Sequence, residues 1–167
     1  RTAVSASFCR CAIAAIMKPR SIAEIGVWWG YALMAMFQGS IFGGQTDPII
    51  VNGYDLESYP GAENCLSWAK NALMASGAAR ADMYHCDSRQ YDIVGLPQED
   101  GVDLFSVDGD HTYEAALRDL ELADARMNPS GVIIVDDVGW ALNVRAAVEE
   151  FAGQTKRAVM WLPTLKG

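Results

Sequence analysis

Apolar runs of strand length alternate with stretches of helical periodicity along most of this chain, and two of those runs end in acids. Val102 to Val107 runs into Asp108, and Gly131 to Val135 runs into Asp136-Asp137. Strands that alternate with helices pair in parallel through right-handed crossovers. The expected architecture is therefore α/β, a Rossmann-like three-layer αβα sandwich with a mostly parallel sheet. In such sheets ligands bind beyond the carboxyl ends of the strands. Asp108, Asp136, Asp137 and the nearby His111 would then converge on one rim. Carboxylates gathered there suit a hard divalent cation, and a histidine beside them suits proton abstraction.

The remaining elements follow from periodicity and punctuation. Ser21 to Val27 reads as the first strand, Tyr31 to Phe37 as a helix, and Gly39 to Pro48 as a glycine-rich loop. Ile49 to Asp55 is a second strand. Gly61 to Ser76 has helical spacing, with Leu66, Ala69, Leu73 and Met74 able to share a face before Gly77 stops it. Asp82 to Cys86 is a third strand, ending in Asp87-Ser88. Tyr113 to Met127 is a helix whose apolar face is Ala116, Leu117, Leu120, Ala123 and Met127. Asn128 to Gly131 turns into the fifth strand. Asn143 to Phe151 is another helix, and Ala158 to Leu162 another strand.

With 167 residues the chain fits one domain with a real core. Its net charge of −8 and the lack of any Lys/Arg cluster argue against a nucleic-acid partner. No apolar run reaches the roughly 18 to 20 residues that span a bilayer. Arg1 to Lys18 is alanine-rich with Arg10 in its middle, and reads as a helix rather than a secretory signal. Cys9, Cys11, Cys65 and Cys86 match no zinc spacing and read as reduced thiols. These features describe a cytoplasmic enzyme acting on a small molecule, with a homodimer possible.

The first strand leads into Glu24-Ile25-Gly26-Val27-Trp28-Trp29-Gly30. Glycines at this turn let a ligand approach the backbone, and the helix that follows points its positive end at it. The dinucleotide fingerprint is G-x-G-x-x-G. Here the spacing is G-x-x-x-G, with Trp28 where the middle glycine would lie. That counts against a nicotinamide or flavin dinucleotide. Asp55 ends the second strand and is placed to accept from ribose hydroxyls, and Asp87 from an adenine amino group. Taken singly, each acid reads more readily as a helix cap or a solvated loop residue. Together they outline an adenosine pocket.

These residues resemble class I S-adenosylmethionine (SAM)-dependent methyltransferases, and within them the metal-dependent branch of macrocin and mycinamicin type O-methyltransferases. The resemblance runs from about Ser21 to Leu162. It is carried by the glycine loop, Gly53-Tyr54-Asp55, Cys86-Asp87-Ser88, Asp108-Gly109-Asp110-His111-Thr112-Tyr113 and Ile134-Val135-Asp136-Asp137. It implies that Glu24, Gly26 and Gly30 shape the pocket for the methionine part of SAM, with Val27, Trp28, Leu56 and Asp108 also in the cofactor site. Asp55 would hold the ribose, and Asp87 with Ser88 the adenine end. Asp108, Asp136 and Asp137 would bind Mg²⁺ or another divalent cation, with His111 as general base. Members of the family carry more chain at both ends, including a last antiparallel strand, so a truncated domain is expected.

The implied reaction is O-methylation of a small hydroxylated metabolite. Asp136 and Asp137 reach one ion only if the backbone turns between them, because neighbours on an extended strand face opposite ways. Asp110 is expected to cap the following helix, and Trp140 and Tyr113 to pack in the core or line the acceptor pocket. Three alternatives stand beside this reading: a nicotinamide-dependent oxidoreductase, a degenerate non-catalytic cofactor-binding domain, and a metal-independent methyltransferase.

Overall fold

The computed structural model of the chain describes residues 2–90 and 101–162. Ten elements follow one another: α1 (Thr2–Met17), β1 (Ser21–Ile25), α2 (Tyr31–Phe42), β2 (Ile50–Asp55), α3 (Cys65–Ala75), β3 (Arg80–His85), β4 (Val102–Val107), α4 (Tyr113–Arg126), β5 (Met127–Val135) and α5 (Leu142–Thr155). The five strands form one sheet in the order β3-β2-β1-β4-β5, and every pairing is parallel. The order reverses between β1 and β4, so the crevice for a ligand lies beyond their carboxyl ends.

Burial follows strand alternation. On one face Ile22, Val51, Ala81 and Leu104 pack with Leu33, Met36 and Phe37 of α2 and Leu66, Ala69 and Leu73 of α3. On the other, Ala23, Ile25, Phe105 and Val107 meet Leu122 and Ala123 of α4. Helix α5 packs on α4 through Val144, Ala147, Val148 and Phe151. This is the expected αβα sandwich.

Four local expectations are corrected. Helix α2 continues through Gly39 to Phe42 instead of opening into a loop at Gly39. Its glycines serve the contact with α1: a Cβ on Gly39 would lie 2.2 Å from the Cys11 carbonyl oxygen, and one on Gly43 2.1 Å from that of Ala15. Residues 158–162 form no strand. Lys156 turns the chain in the left-handed region at φ 58, Arg157 pairs with Asp124, and Trp161 lies against Arg145 of α5. The segment is thereby held on the helical layer. Met74 is 45% exposed and not on the buried face of α3. Asn128–Gly131, expected as a turn ahead of the strand, lies within β5, whose register with β4 jumps from Val102↔Met127 to Leu104↔Val132.

The glycine contacts give a test. Gly39→Ala should destabilise the fold by about 1–3 kcal/mol, because the new methyl meets backbone with no room to yield. Gly153 of α5 has nothing within 4 Å of its Cβ position, and Gly153→Ala should be neutral or stabilising by up to about 1 kcal/mol. Urea unfolding of both variants reads the difference, and equal midpoints would refute the close-contact role.

Candidate active site

Beyond the carboxyl ends of β1 and β4 lies a cavity of about 640 Å³. Its floor is the first strand-to-helix turn. Gly26 sits at φ 84, donates its N–H to the Tyr54 carbonyl at 2.8 Å, and leaves no space for a side chain, since a Cβ there would lie 1.9 Å from the Asp108 carbonyl oxygen. Trp28 also takes a left-handed conformation, φ 46. Its indole is 56% exposed, so it stands at the mouth and does not fill the loop.

Asp55 ties this turn to the end of β2. One carboxylate oxygen accepts the Trp28 N–H at 2.8 Å and the other the Glu57 N–H at 2.6 Å. Gly26, Trp28, Asp55, Leu56, Asp87, Ser88 and Asp108 all line the cavity, as expected. Glu24, Val27 and Gly30 do not. Val27 is buried in the core. Gly30 precedes α2 at φ 75, where its missing Cβ makes room for Ala69 of α3, 2.6 Å from the Cβ position.

Glu24 is completely buried behind the cavity. Its Oε1 accepts from the Ser106 hydroxyl at 2.8 Å, while Oε2 has no partner. Burial pushes its carboxyl up to about 8, against the lowering pull of Arg10, so at neutral pH Glu24 is mostly protonated. It stands behind the cavity wall and does not line the cavity itself.

The acids of the rim separate into two groups. Arg10 of α1 is only 5% exposed, and one guanidinium nitrogen lies 3.0 Å from Asp108 Oδ2 and 3.2 Å from Asp136 Oδ2. The backbone turns at Asp137, φ 62, and sends its carboxylate the other way. Asp137 Oδ2 lies 3.1 Å from His111 Nε2, and Asp137 Oδ1 accepts the Trp140 indole N–H at 2.8 Å. The Trp140 ring meets the His111 ring edge-on, with centroids 4.9 Å apart. Trp140 is thus a 55% exposed neighbour of His111 and not a core residue.

The expected metal trio is therefore not assembled. Asp136 faces Arg10, whereas Asp108, His111 and Asp137 each bring a donor atom within 4.8 Å of the others. Desolvation raises the Asp108 carboxyl, with Arg10 pulling it back down.

Beyond the end of β3, Asp87 is fully engaged. Its two oxygens accept from the N–H, Nε and NH2 of Arg89 and from the Gln90 amide, all within 2.9–3.1 Å. The Arg89 hydrogen bonds hold its carboxyl below the usual range. Asp110 accepts the Thr112 N–H at 2.7 Å in a turn ahead of α4; the residue at the N-cap is Thr112, so Asp110 does not cap the helix as expected. Tyr113 bonds outward to Glu150.

Sequence reasoning missed Arg10, Asp119, Arg89 and Tyr59. Asp119 of α4 is 1% exposed and takes a hydrogen bond from Ser88, while burial pushes its carboxyl up to about 6. Gly109 makes room for it, since a Cβ there would lie 2.7 Å from Asp119 Oδ2. Signals existed for two of them. Arg10 is the one charged residue in Thr2–Met17, and Asp119 falls between Ala116 and Ala123 on the apolar side of its helix.

Residues 23–138 match a family model described as a methyltransferase domain. No curated protein matches the sequence. Solved structures share the fold. The SAH-bound methyltransferase PaMTH1 of Podospora anserina has 17% identity, a TM-score of 0.65, and coverage of 96% of this chain and 74% of its own. An O-methyltransferase of Bacillus cereus in complex with SAH has 17% identity, a TM-score of 0.67, and coverage of 89% and 69%. CalS11, a TDP-rhamnose 3'-O-methyltransferase of calicheamicin biosynthesis, has 15% identity, a TM-score of 0.69, and coverage of 96% and 75%.

Glu24 makes stability depend on pH. Its folded-state value of about 8 lies above the ordinary 4.5, so the folded state holds a proton that the unfolded state has released. Stability is greatest below about pH 4.5 for this group alone and falls as pH rises through 8. Glu24→Gln should remove that decline, leaving a melting temperature that changes less between pH 6 and 8.5 than the wild type. Parallel slopes in a thermal scan would show Glu24 ionised in its pocket.

Proposed function

The chain belongs to the methyltransferase-domain family, and from that premise we propose that it moves the methyl group of SAM to a hydroxyl oxygen of a small metabolite. One observation carries the proposal: the His111–Asp137 pair, 3.1 Å apart, faces the same cavity as Gly26, Asp55 and Ser88. That supports a proton acceptor at one end of a pocket whose other end would receive the adenosine of SAM. O-methyltransferases among the structural neighbours, one of them acting on TDP-rhamnose, lend support to a hydroxyl acceptor. Nothing in the structure favours an oxidoreductase.

SAM supplies an activated methyl on a sulfonium. Transfer is an in-line displacement that depends above all on alignment of the acceptor oxygen with the methyl carbon. The new C–O bond forms as the C–S bond breaks, and its electron pair stays on sulfur. The acceptor hydroxyl loses its proton to His111. A carboxylate only accepts hydrogen bonds, so His111 Nε2 carries the hydrogen directed at Asp137 and Nδ1 offers the lone pair. Asp137 also steadies the imidazolium as it forms, and the Trp140 bond fixes Asp137 itself.

Mg²⁺ held by Asp108, Asp136 and Asp137 does not fit these side chains, because Asp136 is turned to Arg10. An ion on Asp108, His111 and Asp137 would use the base as a ligand. Proton transfer to His111 accordingly involves this chain's own side chains. The net charge of −8 supports a small-molecule acceptor over nucleic acid. Four free thiols, and helices among the described residues too short or polar to cross a membrane, support a cytoplasmic setting.

Calorimetry with SAH tests the cofactor, and SAH release over a panel of phenols and sugars tests the reaction. Wild type should bind SAH in the micromolar range. His111→Ala should lower kcat by about 10²-fold or more while leaving the SAH dissociation constant nearly unchanged. Equal losses in both would remove His111 from the chemistry.

A further inference from the structure

Resting on the methyltransferase reading, we propose that Arg10 is the resident counter-cation of this site, holding Asp108 and Asp136 and offsetting their charge so that the His111–Asp137 base works without a divalent ion. Arg10 does not line the cavity; it acts through Asp108, and is a positioning residue.

The geometry is specific. A single guanidinium nitrogen bridges two carboxylates at 3.0 and 3.2 Å. The arginine is 5% exposed, and the carboxylates of Asp108 and Asp136 stabilise its charge. Burying an arginine alone is costly, and carboxylates in contact recover that cost. Conversely, Asp108 and Asp136 side by side without a cation would repel each other in a medium that screens poorly.

A divalent ion coordinated by these two acids would sit against a fixed positive charge only about one hydrogen bond away. Arg10 cannot deprotonate to yield the place. The same guanidinium also withdraws Asp136 from any set built around Asp137, whose carboxylate points to His111 instead. The acids of the rim are thus divided between two internal partners: Arg10 takes Asp108 and Asp136, and His111 with Trp140 takes Asp137. Arg10 reaches the site from α1, an element that precedes the region matched to the methyltransferase family.

The test compares the full chain as wild type, Arg10→Lys and Arg10→Gln. Free Mn²⁺ is followed by its paramagnetic resonance signal, melting temperature is read with and without Mn²⁺, and SAH is titrated calorimetrically in EDTA. Wild type should show no saturable Mn²⁺ binding below millimolar concentration and should bind SAH equally well in EDTA and in Mg²⁺. Arg10→Gln should bind Mn²⁺ at least about tenfold more tightly than wild type, since a neighbouring positive charge is gone, and Mn²⁺ should raise its melting temperature. A purely structural arginine would not change metal affinity in that direction.

Arg10→Lys keeps the charge and should resemble wild type toward Mn²⁺. If Arg10→Gln does not fold, the wild-type and Arg10→Lys titrations decide alone. Tight Mn²⁺ binding by wild type, or Mn²⁺ affinity in Arg10→Gln no greater than in wild type, would overturn the proposal. Failure to bind SAH under every condition would instead strike the methyltransferase mechanism, and the Mn²⁺ titrations would still judge Arg10.

Discussion

The backbone of Gly26 lies so close to the Asp108 carbonyl that no side chain fits between them. Much of the site depends on that approach. Asp108 donates its N–H to Ile25, and Asp136 donates its own to Val107, so the ends of β1, β4 and β5 are pinned in series. Parallel pairing then sets Asp108 and Asp136 side by side at one rim, and the reversal of strand order opens the cavity next to them. The acids are neighbours because the register makes them so. A methyl group at Gly26 would force apart β1 and β4 at the point where their side chains must converge.

Convergence creates an electrostatic problem that the fold resolves internally. Glu24, Asp108, Asp119, Asp136 and Asp137 are all largely removed from water. Two of them, Glu24 and Asp119, are pushed toward the protonated form by burial. Each has one oxygen bound to a serine hydroxyl, Ser106 or Ser88, and one with no partner. The others find cationic or donor groups. Neutralisation by protonation behind the cavity and by ion pairing at its edge together keep the wall from carrying five adjacent negative charges.

The fold was legible because periodicity and strand-end acids are local signals. Val102–Val107 and Tyr113–Arg126 emerge within a residue of their expected bounds. Gly39 misled because a glycine that permits helix contact looks, in one dimension, like a glycine that breaks a helix. Trp28 was readable as a departure from the dinucleotide fingerprint, but not as a residue at φ 46 whose ring leaves the loop. Asp87 was placed correctly at the rim, yet its oxygens are taken by Arg89 and Gln90, a contact that depends on side-chain rotamers. Arg10 lies about a hundred residues from its partners, and only the packing of α1 on α2 brings it there.

Division of Asp136 from Asp137 is the step that turns a row of acids into a reactive centre. Along a strand, adjacent side chains already diverge, and the left-handed turn at Asp137 sets the divergence in a chosen direction. Asp136 goes to the arginine and Asp137 to the histidine. A guanidinium brings charge and fixed geometry but no Lewis acidity, so it cannot itself acidify a hydroxyl as a metal does. In the proposed reaction the whole task of proton removal then falls on His111. On the proposed mechanism Asp137 orients that ring, while Arg10 holds Asp108 and Asp136 in a separate pairing.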